Sequence, residues 1–393
     1  MPASKLSIAV LHSIAQMHAD GLHQGEIAAT LGISQATVCR GIHHAIQVGL
    51  LKITKQIRFH PSKTTKSTDG GVELGEAKEL ADRLSRIASA GDNAWQLDIK
   101  IVSLGQARGL DARLQRFAHR AASYVGPLLS RSRICGVTWG LTLKCLVDAI
   151  EGVANTEPDG PTTNVLPLCG EPLGEGRPTS LSSSGLAERL ASVLNDRHVR
   201  APKPLSLGLV PAFFPVQFDE TELAVAWGLV GFCEAYLRIF GNPDKSNTST
   251  DSSAVRKNPL IHRIDTVLTS ISIEGRPFGF GKAASLIAPQ LSEVLVGDIG
   301  GVPLKKPNLP PAHEDLFRKL YQRWTGLRKE HLQTCAARAQ RGERTESAAG
   351  VILAAMGEDK AGCVIEAVRA RLVNHIVIDT GLKRAIERII RQD

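Results

Sequence analysis

Aromatic residues are scarce in this 393-residue chain, at 4%, so its core has to be built from aliphatic side chains. No apolar run approaches the ~18 consecutive residues a bilayer-spanning helix needs, so no membrane partner is expected. The first residues, MPASKLSIAVLHSIAQMHADG, are interrupted by His12, Gln16 and His18, which fits an amphipathic helix better than a signal peptide. The seven cysteines stand singly at 39, 135, 145, 169, 233, 335 and 363. With no CxxC and no Cys/His cluster at metal spacing, they read as free thiols in a reducing cytoplasm, with no metal site.

What the chain does have is basic charge, and it is unevenly placed. The net charge is +8 over the whole sequence. Within residues 1–66, Lys5, Arg40, Lys52, Lys55, Arg58, Lys63 and Lys66 face only Asp20 and Glu26. Seven against two leaves +5, so most of the excess lies in the first sixth of the chain. Such an end attracts phosphate if it also carries a reading element.

That element is GLHQGEIAATLGISQATVCRGIHHA, Gly21 to Ala45. Ile27, Ala28, Leu31, Ile33, Val38 and Ile42 repeat at helical spacing on either side of Gly32, a residue that takes a left-handed turn at no steric cost. Ser34 stands at the N-cap position of a second helix. With Val38 and Ile42 turned inward, Gln35, Ala36, Thr37 and Arg40 lie on the opposite face, available to base edges and phosphates in a major groove. Residues 4–18 supply a first helix, and the stretch from Val48 to Ile57 reads as a helix end followed by a short strand or wing. The pattern is that of a helix-turn-helix over residues 1–59. His60 to Gly71 is polar and rich in Ser, Thr, Pro and Gly, which reads as a linker over 60–72.

Residues 73–393 alternate strand-like and helix-like segments, the pattern of an α/β domain with a mostly parallel sheet. A helix is expected from Glu73 to Ala90, a strand over Leu97–Leu104, a helix over Leu110–Leu129, a strand at Ile134–Val137 and a helix from Thr142 to Ile150. NVLPLCGEPL follows as a strand and SGLAERLASVLN as a helix. PLSLGLVPAFF reads as strand and loop, ELAVAWGLVGFCEAYLRIF as one long apolar helix, and SAAGVILAAM as helix-like. NHIVIDT is a strand and LKRAIERII a closing helix.

One strand-to-helix turn stands out. In GVTWGLTLK, Gly136 to Lys144, a hydrophobic strand runs into Thr138, Trp139, Gly140 and Thr142 before a helix begins. Backbone amides and two hydroxyls at a helix N-terminus make a seat for a phosphate. The stretch has neither GxGxxG nor GxxxxGK[ST], so a dinucleotide or triphosphate is not its obvious ligand.

Four stretches together resemble the SorC/DeoR-type sugar-binding transcriptional regulators of bacteria. They are QGEIAATLGISQATVCRGIHHAIQVGLLKI, ICGVTWGLTLKCLVDAI, LVGDIGGV and MGEDKAGCVIEAVRARLVNHIVIDT, and their spacing spans nearly the whole chain. The resemblance implies an N-terminal helix-turn-helix followed by a larger Rossmann-like effector and oligomerisation domain, related to sugar-phosphate isomerases without their catalysis. It implies a homodimer or homotetramer that binds double-stranded operator DNA and responds to a phosphorylated sugar, with no cofactor and no catalytic residue. By position, Thr138, Gly140, Thr142 and Leu143 would form the phosphate loop, Asp298 would face sugar hydroxyls, and Lys360 would supply a cation. Gln35, Ala36, Thr37, Arg40, His44 and Lys52 would meet the DNA.

Simpler structural roles stand beside these. Trp139 fits a core aromatic as well as a pocket wall. Asp298, between Gly297 and Ile299, fits a turn residue bonded to nearby amides. Lys360 fits a solvated charge at a helix start. The competing function is a sugar-phosphate isomerase or deaminase with an appended DNA-binding module. It requires a general base, for which Asp298 is the candidate.

Overall fold

The computed structural model describes residues 8–19, 24–47, 50, 74–89, 94–153, 162–171, 181–196, 202–208, 210–215, 217–243, 258–273, 294–306, 310–342 and 348–392. The chain divides into two compact units, Met1–Ser67 and Thr68–Asp393. The expected linker over 60–72, most of the wing segment and Lys52 lie outside the described residues.

The N-terminal unit contains α1 (Ile8–Ala19), α2 (Gln24–Leu31) and α3 (Gln35–Gln47). Ile14, Ile27 and Val38 are fully enclosed and Ile42 nearly so, with Val10, Met17, Ala28, Leu31 and Ile33 packed around them. Gly32 closes α2 at φ +62°, and the Ile33 amide then reaches back to the Ala28 carbonyl at 3.1 Å. That bond and the left-handed glycine form a Schellman stop, which satisfies a carbonyl the helix end would leave orphaned. Two residues later Ser34 Oγ accepts the Thr37 amide at 3.2 Å, capping α3 as the sequence anticipates.

In the C-terminal unit the described residues form a seven-stranded sheet. Its strands are β1 (Leu74–Glu76), β2 (Asp98–Val102), β3 (Ile134–Val137), β4 (Asn164–Pro167), β5 (Thr266–Thr269), β9 (Gly350–Ala355) and β10 (His375–Asp379). The spatial order is β1-β2-β10-β9-β5-β3-β4, and every pairing is parallel except β1 with β2. Along the strands, side chains alternate between two cores. Val102, Val137, Val165, Leu268, Ile352 and Val377 pack under α5 (Leu110–Ser130), α6 (Leu141–Val153) and α7 (Ser183–Leu194). Ile99, Leu166, Val267, Val351, Leu353 and Ile376 pack on the other face. There they meet α4 (Lys78–Ala88), α11 (Lys329–Arg341), α12 (Ala361–Arg369) and α13 (Thr380–Ile390). A sheet covered on both faces is the doubly wound arrangement expected.

A second, antiparallel sheet of β6 (Ile271–Ser272), β7 (Leu295–Ile299) and β8 (Val302–Lys305) begins one residue after β5. Between it and α11 stands α10 (Pro311–Arg323).

Four expectations from sequence are corrected. The helix expected from Glu73 begins only at Lys78, because Leu74–Glu76 pairs with β2 as an edge strand. SAAGVILAAM supplies β9, all six of whose residues are buried between β5 and β10. A strand buried on both faces has no polar alternation, so its apolar run cannot be told from a buried helix by period. Among its described residues PLSLGLVPAFF makes only the isolated bridges Glu171–Pro211 and Phe213–Trp324, since Pro204 and Pro211 cannot donate to a ladder. The long apolar helix is two, α8 (Glu220–Val230) and α9 (Glu234–Phe240), bent by 96° at Gly231–Cys233. No single described helix is long and apolar enough to cross a membrane.

Candidate functional site

Strand order singles out one crevice. The connection after β3 runs outward through α6 to the edge strand β4, whereas the chain after β5 runs the opposite way to β9. Neighbouring strands whose connections diverge leave a gap at their carboxyl ends, the switch point where open α/β sheets take ligands. By strand order the switch point here lies between the ends of β3 and β5.

Thr138, Trp139 and Gly140 follow β3, and Ser270 follows Thr269 at the end of β5. Gly140 adopts φ +127°, and its carbonyl accepts the first α6 bond, from the Lys144 amide at 2.9 Å. The Leu141, Thr142 and Leu143 amides therefore open α6 with no helical carbonyl behind them. The first turn carries no carboxylate, so the positive end of the helix dipole is uncompensated there. The Leu143 side chain lies wholly in the aliphatic core, leaving its backbone N–H as the group it can offer. Thr142, in the same first turn, is 8% exposed. Alanine at Gly140 would be held at a φ that L-residues rarely adopt, with its Cβ 3.3 Å from Ser270 Oγ. We expect Gly140→Ala to cost about 1–3 kcal/mol, read as a lowered melting temperature.

Thr138 is fully buried. Its hydroxyl lies 3.2 Å from that of Thr269, and its amide donates to the Leu268 carbonyl at 3.2 Å. The turn of the β7–β8 hairpin closes over this pair: the Gly300 amide donates to the Ser270 carbonyl at 2.9 Å, and a Cβ on Gly300 would lie 2.6 Å from Thr138 Cγ2. The structure thus brings the GDIGG segment against the strand-loop-helix, two stretches that lie more than 150 positions apart.

Asp298 sits on β7 opposite Ser272 of β6 and is 1% exposed. Its Oδ1 accepts the Gly301 amide at 2.7 Å, so it does tie the hairpin turn. Its Oδ2 is enclosed with no hydrogen-bond partner among the described residues, and the same is true of Ser272 Oγ. Burial pushes the carboxyl up to about 7, against the opposing pull of the Gly301 amide, the Lys360 ammonium and Ser272. Lys360 is half-buried on the single 3-10 turn Glu358–Lys360 that precedes α12, and its charge bears on both Asp298 and Cys363. Asp298 and Lys360 thus lie within electrostatic reach of each other, and Gly300, two residues after Asp298, is what touches Thr138.

Trp139 belongs to a core. It meets Trp324 edge-on at 5.8 Å between centroids, and Phe213 meets Trp324 at 5.2 Å. Ser270 was not singled out from sequence. It is 9% exposed and its hydroxyl donates to the Trp139 carbonyl over 3.4 Å, a long bond beside Gly140. Only the pairing of β3 with β5 puts it there, and no motif marks it.

In the N-terminal unit, Arg40 and His44 are exposed on α3, away from buried Val38, Ile42 and Ala45, with Thr37 partly exposed beside them. Gln35 and Ala36 lie in the first turn of the same helix. Among the described residues no group of His, Cys, Asp and Glu side chains could hold a metal ion.

Comparison with known proteins places this architecture. No family model and no curated sequence matches the chain. Among solved structures, a transcriptional regulator from Streptococcus pneumoniae TIGR4 superposes with a TM-score of 0.51 at 14% identity, covering 79% of this chain and 97% of that one. The full-length sorbitol operon regulator SorC from Klebsiella pneumoniae gives 0.49 at 16% identity over 98% and 99% of the two chains. A DeoR family transcriptional regulator from Listeria monocytogenes gives 0.45 at 15% identity over 79% and 98%. The chain has the α/β fold of the Streptococcus pneumoniae regulator. The solved structures similar to it include SorC and DeoR proteins, the family its sequence resembles.

Proposed function

We propose that this chain is a DNA-binding transcriptional regulator whose operator affinity is controlled by a phosphorylated sugar bound in the C-terminal unit. The observation that carries the reading is the capped helix α3, with Val38 and Ile42 buried and Arg40 and His44 exposed, in one chain with a switch-point crevice at the open N-terminus of α6. The Streptococcus pneumoniae neighbour, a transcriptional regulator, supports it through the fold. In this reading Arg40 and Gln35 meet base edges, Thr37 and Lys52 meet phosphates, and Ala36 and His44 lie on the same DNA-facing side. The sugar phosphate seats its anion on the amides after Gly140 and on Thr142, with Lys360 as cation and Asp298 toward the hydroxyls.

Control is linkage: the effector binds one arrangement of the protein better and so shifts its affinity for DNA. One helix-turn-helix spans too few base pairs to be selective, so the protein acts as a homodimer or homotetramer on a two-fold site in the cytoplasm. The chain is a binding protein and not an enzyme.

Thermal melting of the full chain against a panel of phosphorylated sugars and their unphosphorylated parents tests the effector. A member at 100 times its Kd stabilises by ~2.7 kcal/mol, and the unphosphorylated parent should give less. Equal shifts for both would remove the anion seat from the reading. Turnover of any member by the purified protein would favour an isomerase or deaminase instead.

A further inference from the structure

On the exposed face of α3, Ser34, Thr37 and Arg40 stand three residues apart, which places them on successive turns. Their polar atoms are already joined. The Thr37 amide donates to Ser34 Oγ at 3.2 Å, the two hydroxyl oxygens lie 2.8 Å apart, and Arg40 Nη2 donates to Thr37 Oγ1 at 3.4 Å. A hydroxyl carries one proton and two lone pairs. When Thr37 Oγ1 accepts from the guanidinium, its own proton is free to go to Ser34 Oγ. The chain then runs in one direction, Arg40 to Thr37 to Ser34, and each bond polarises the next.

We infer that Thr37 is a positioning residue for Arg40: its hydroxyl holds the guanidinium on the outward face of α3 before any partner arrives. This rests on the reading of α3 as the DNA-reading helix. It gives Thr37 a role other than the phosphate contact its place on the exposed face suggests. Two features make the threonine fit. Its β-branch leaves χ1 two rotamers in a helix, and the 2.8 Å contact with Ser34 Oγ selects between them. Arginine, in contrast, has many rotamers to lose on binding, and a tether that removes some of them beforehand lowers that cost. The Ser34 cap fixes the other end of the relay, so the residue that starts the helix also orients the side chain two turns along it.

Selection of binding sites from a random duplex pool tests this with the full-length protein and its Arg40→Ala, Thr37→Val and Thr37→Ser variants, each checked for an unchanged melting temperature. The wild type should enrich a site, and Arg40→Ala should lose preference at one base pair per half-site. Thr37→Val should relax that same base pair and weaken the selected site about two- to tenfold, the worth of one hydrogen bond. Thr37→Ser, which keeps the hydroxyl, should restore both. Thr37→Val weakening all sequences uniformly would mark a phosphate contact and overturn the inference, as would Thr37→Ser behaving like Thr37→Val or Arg40→Ala leaving the preference intact. Failure of the wild type to enrich any sequence is the separate result that overturns the DNA-binding reading itself, and the inference with it.

Discussion

Replacing Gly301 with alanine is expected to destabilise the C-terminal unit by about 2–5 kcal/mol, the sum of overpacking a filled core and holding a non-glycine residue at positive φ. Gly301 adopts φ +90°, and a Cβ there would overlap the ring of Trp324. That ring has nowhere to go. It is fully buried, its Nε1 donates to the Leu327 carbonyl at 2.7 Å, and it packs against both Trp139 and Phe213. Thermal or urea unfolding checks the cost. In a Trp324→Leu background, the packing share should largely vanish while the φ share remains, so the two substitutions should couple. Additive effects would mean that the ring does not oppose the new methyl group. The consequence reaches the crevice, because the same turn carries the Gly301 amide bonded to Asp298 and the Gly300 amide bonded to Ser270. A ligand-induced shift should therefore weaken along with stability.

The second large effect is a pH dependence. A carboxyl whose folded pKa stands above its unfolded one binds its proton more tightly in the folded protein. Its contribution is fully present below the unfolded value and is lost as the pH rises through the folded one. For Asp298, shifted by burial from 3.8 to about 7, the loss runs across that interval and levels off above it. Three units at ~1.36 kcal/mol each set a ceiling of roughly 4 kcal/mol. Asp298→Asn keeps an oxygen to accept the Gly301 amide and brings an amide that Ser272 Oγ can accept, without a charge to bury. Its stability relative to wild type should be close to zero near pH 4 and should climb with pH, until at pH 8 it is the more stable by about 2–4 kcal/mol. Urea titrations at three pH values would decide it; curves that stay parallel for the two proteins would place the titration elsewhere. An aspartate that is costly to ionise is a poor choice for stability alone. Among the described residues its Oδ2 has no hydrogen-bond partner, and Lys360 is the cation whose charge bears on it.

What the sequence by itself determined is local. Gly32 stops α2 and Ser34 starts α3 because both act on backbone groups within five residues, and the buried face of α3 follows from Val38 and Ile42 at helical spacing. The alternation of β2 and the turn after β3 were legible for the same reason. Resemblance supplied Asp298 and Lys360 as partners of that turn, which no spacing argument could.

Tertiary structure decided the rest. It made a strand of Gly350–Ala355, whose unbroken apolar run fits helix or strand until β5 and β10 take its backbone groups. It bent one apparent helix into α8 and α9 at Gly231–Cys233. It placed Ser270 beside Gly140 and folded the Gly300 turn onto Thr138, and it settled Trp139 in a core with Trp324. It also enclosed Asp298, which changes the acid from an open hydroxyl contact into a group whose charge is expensive. Apart from the bend, each of these depends on residues far apart in sequence. The entropy of bringing them together is repaid only when the whole sheet forms, so no short window of sequence contains the information.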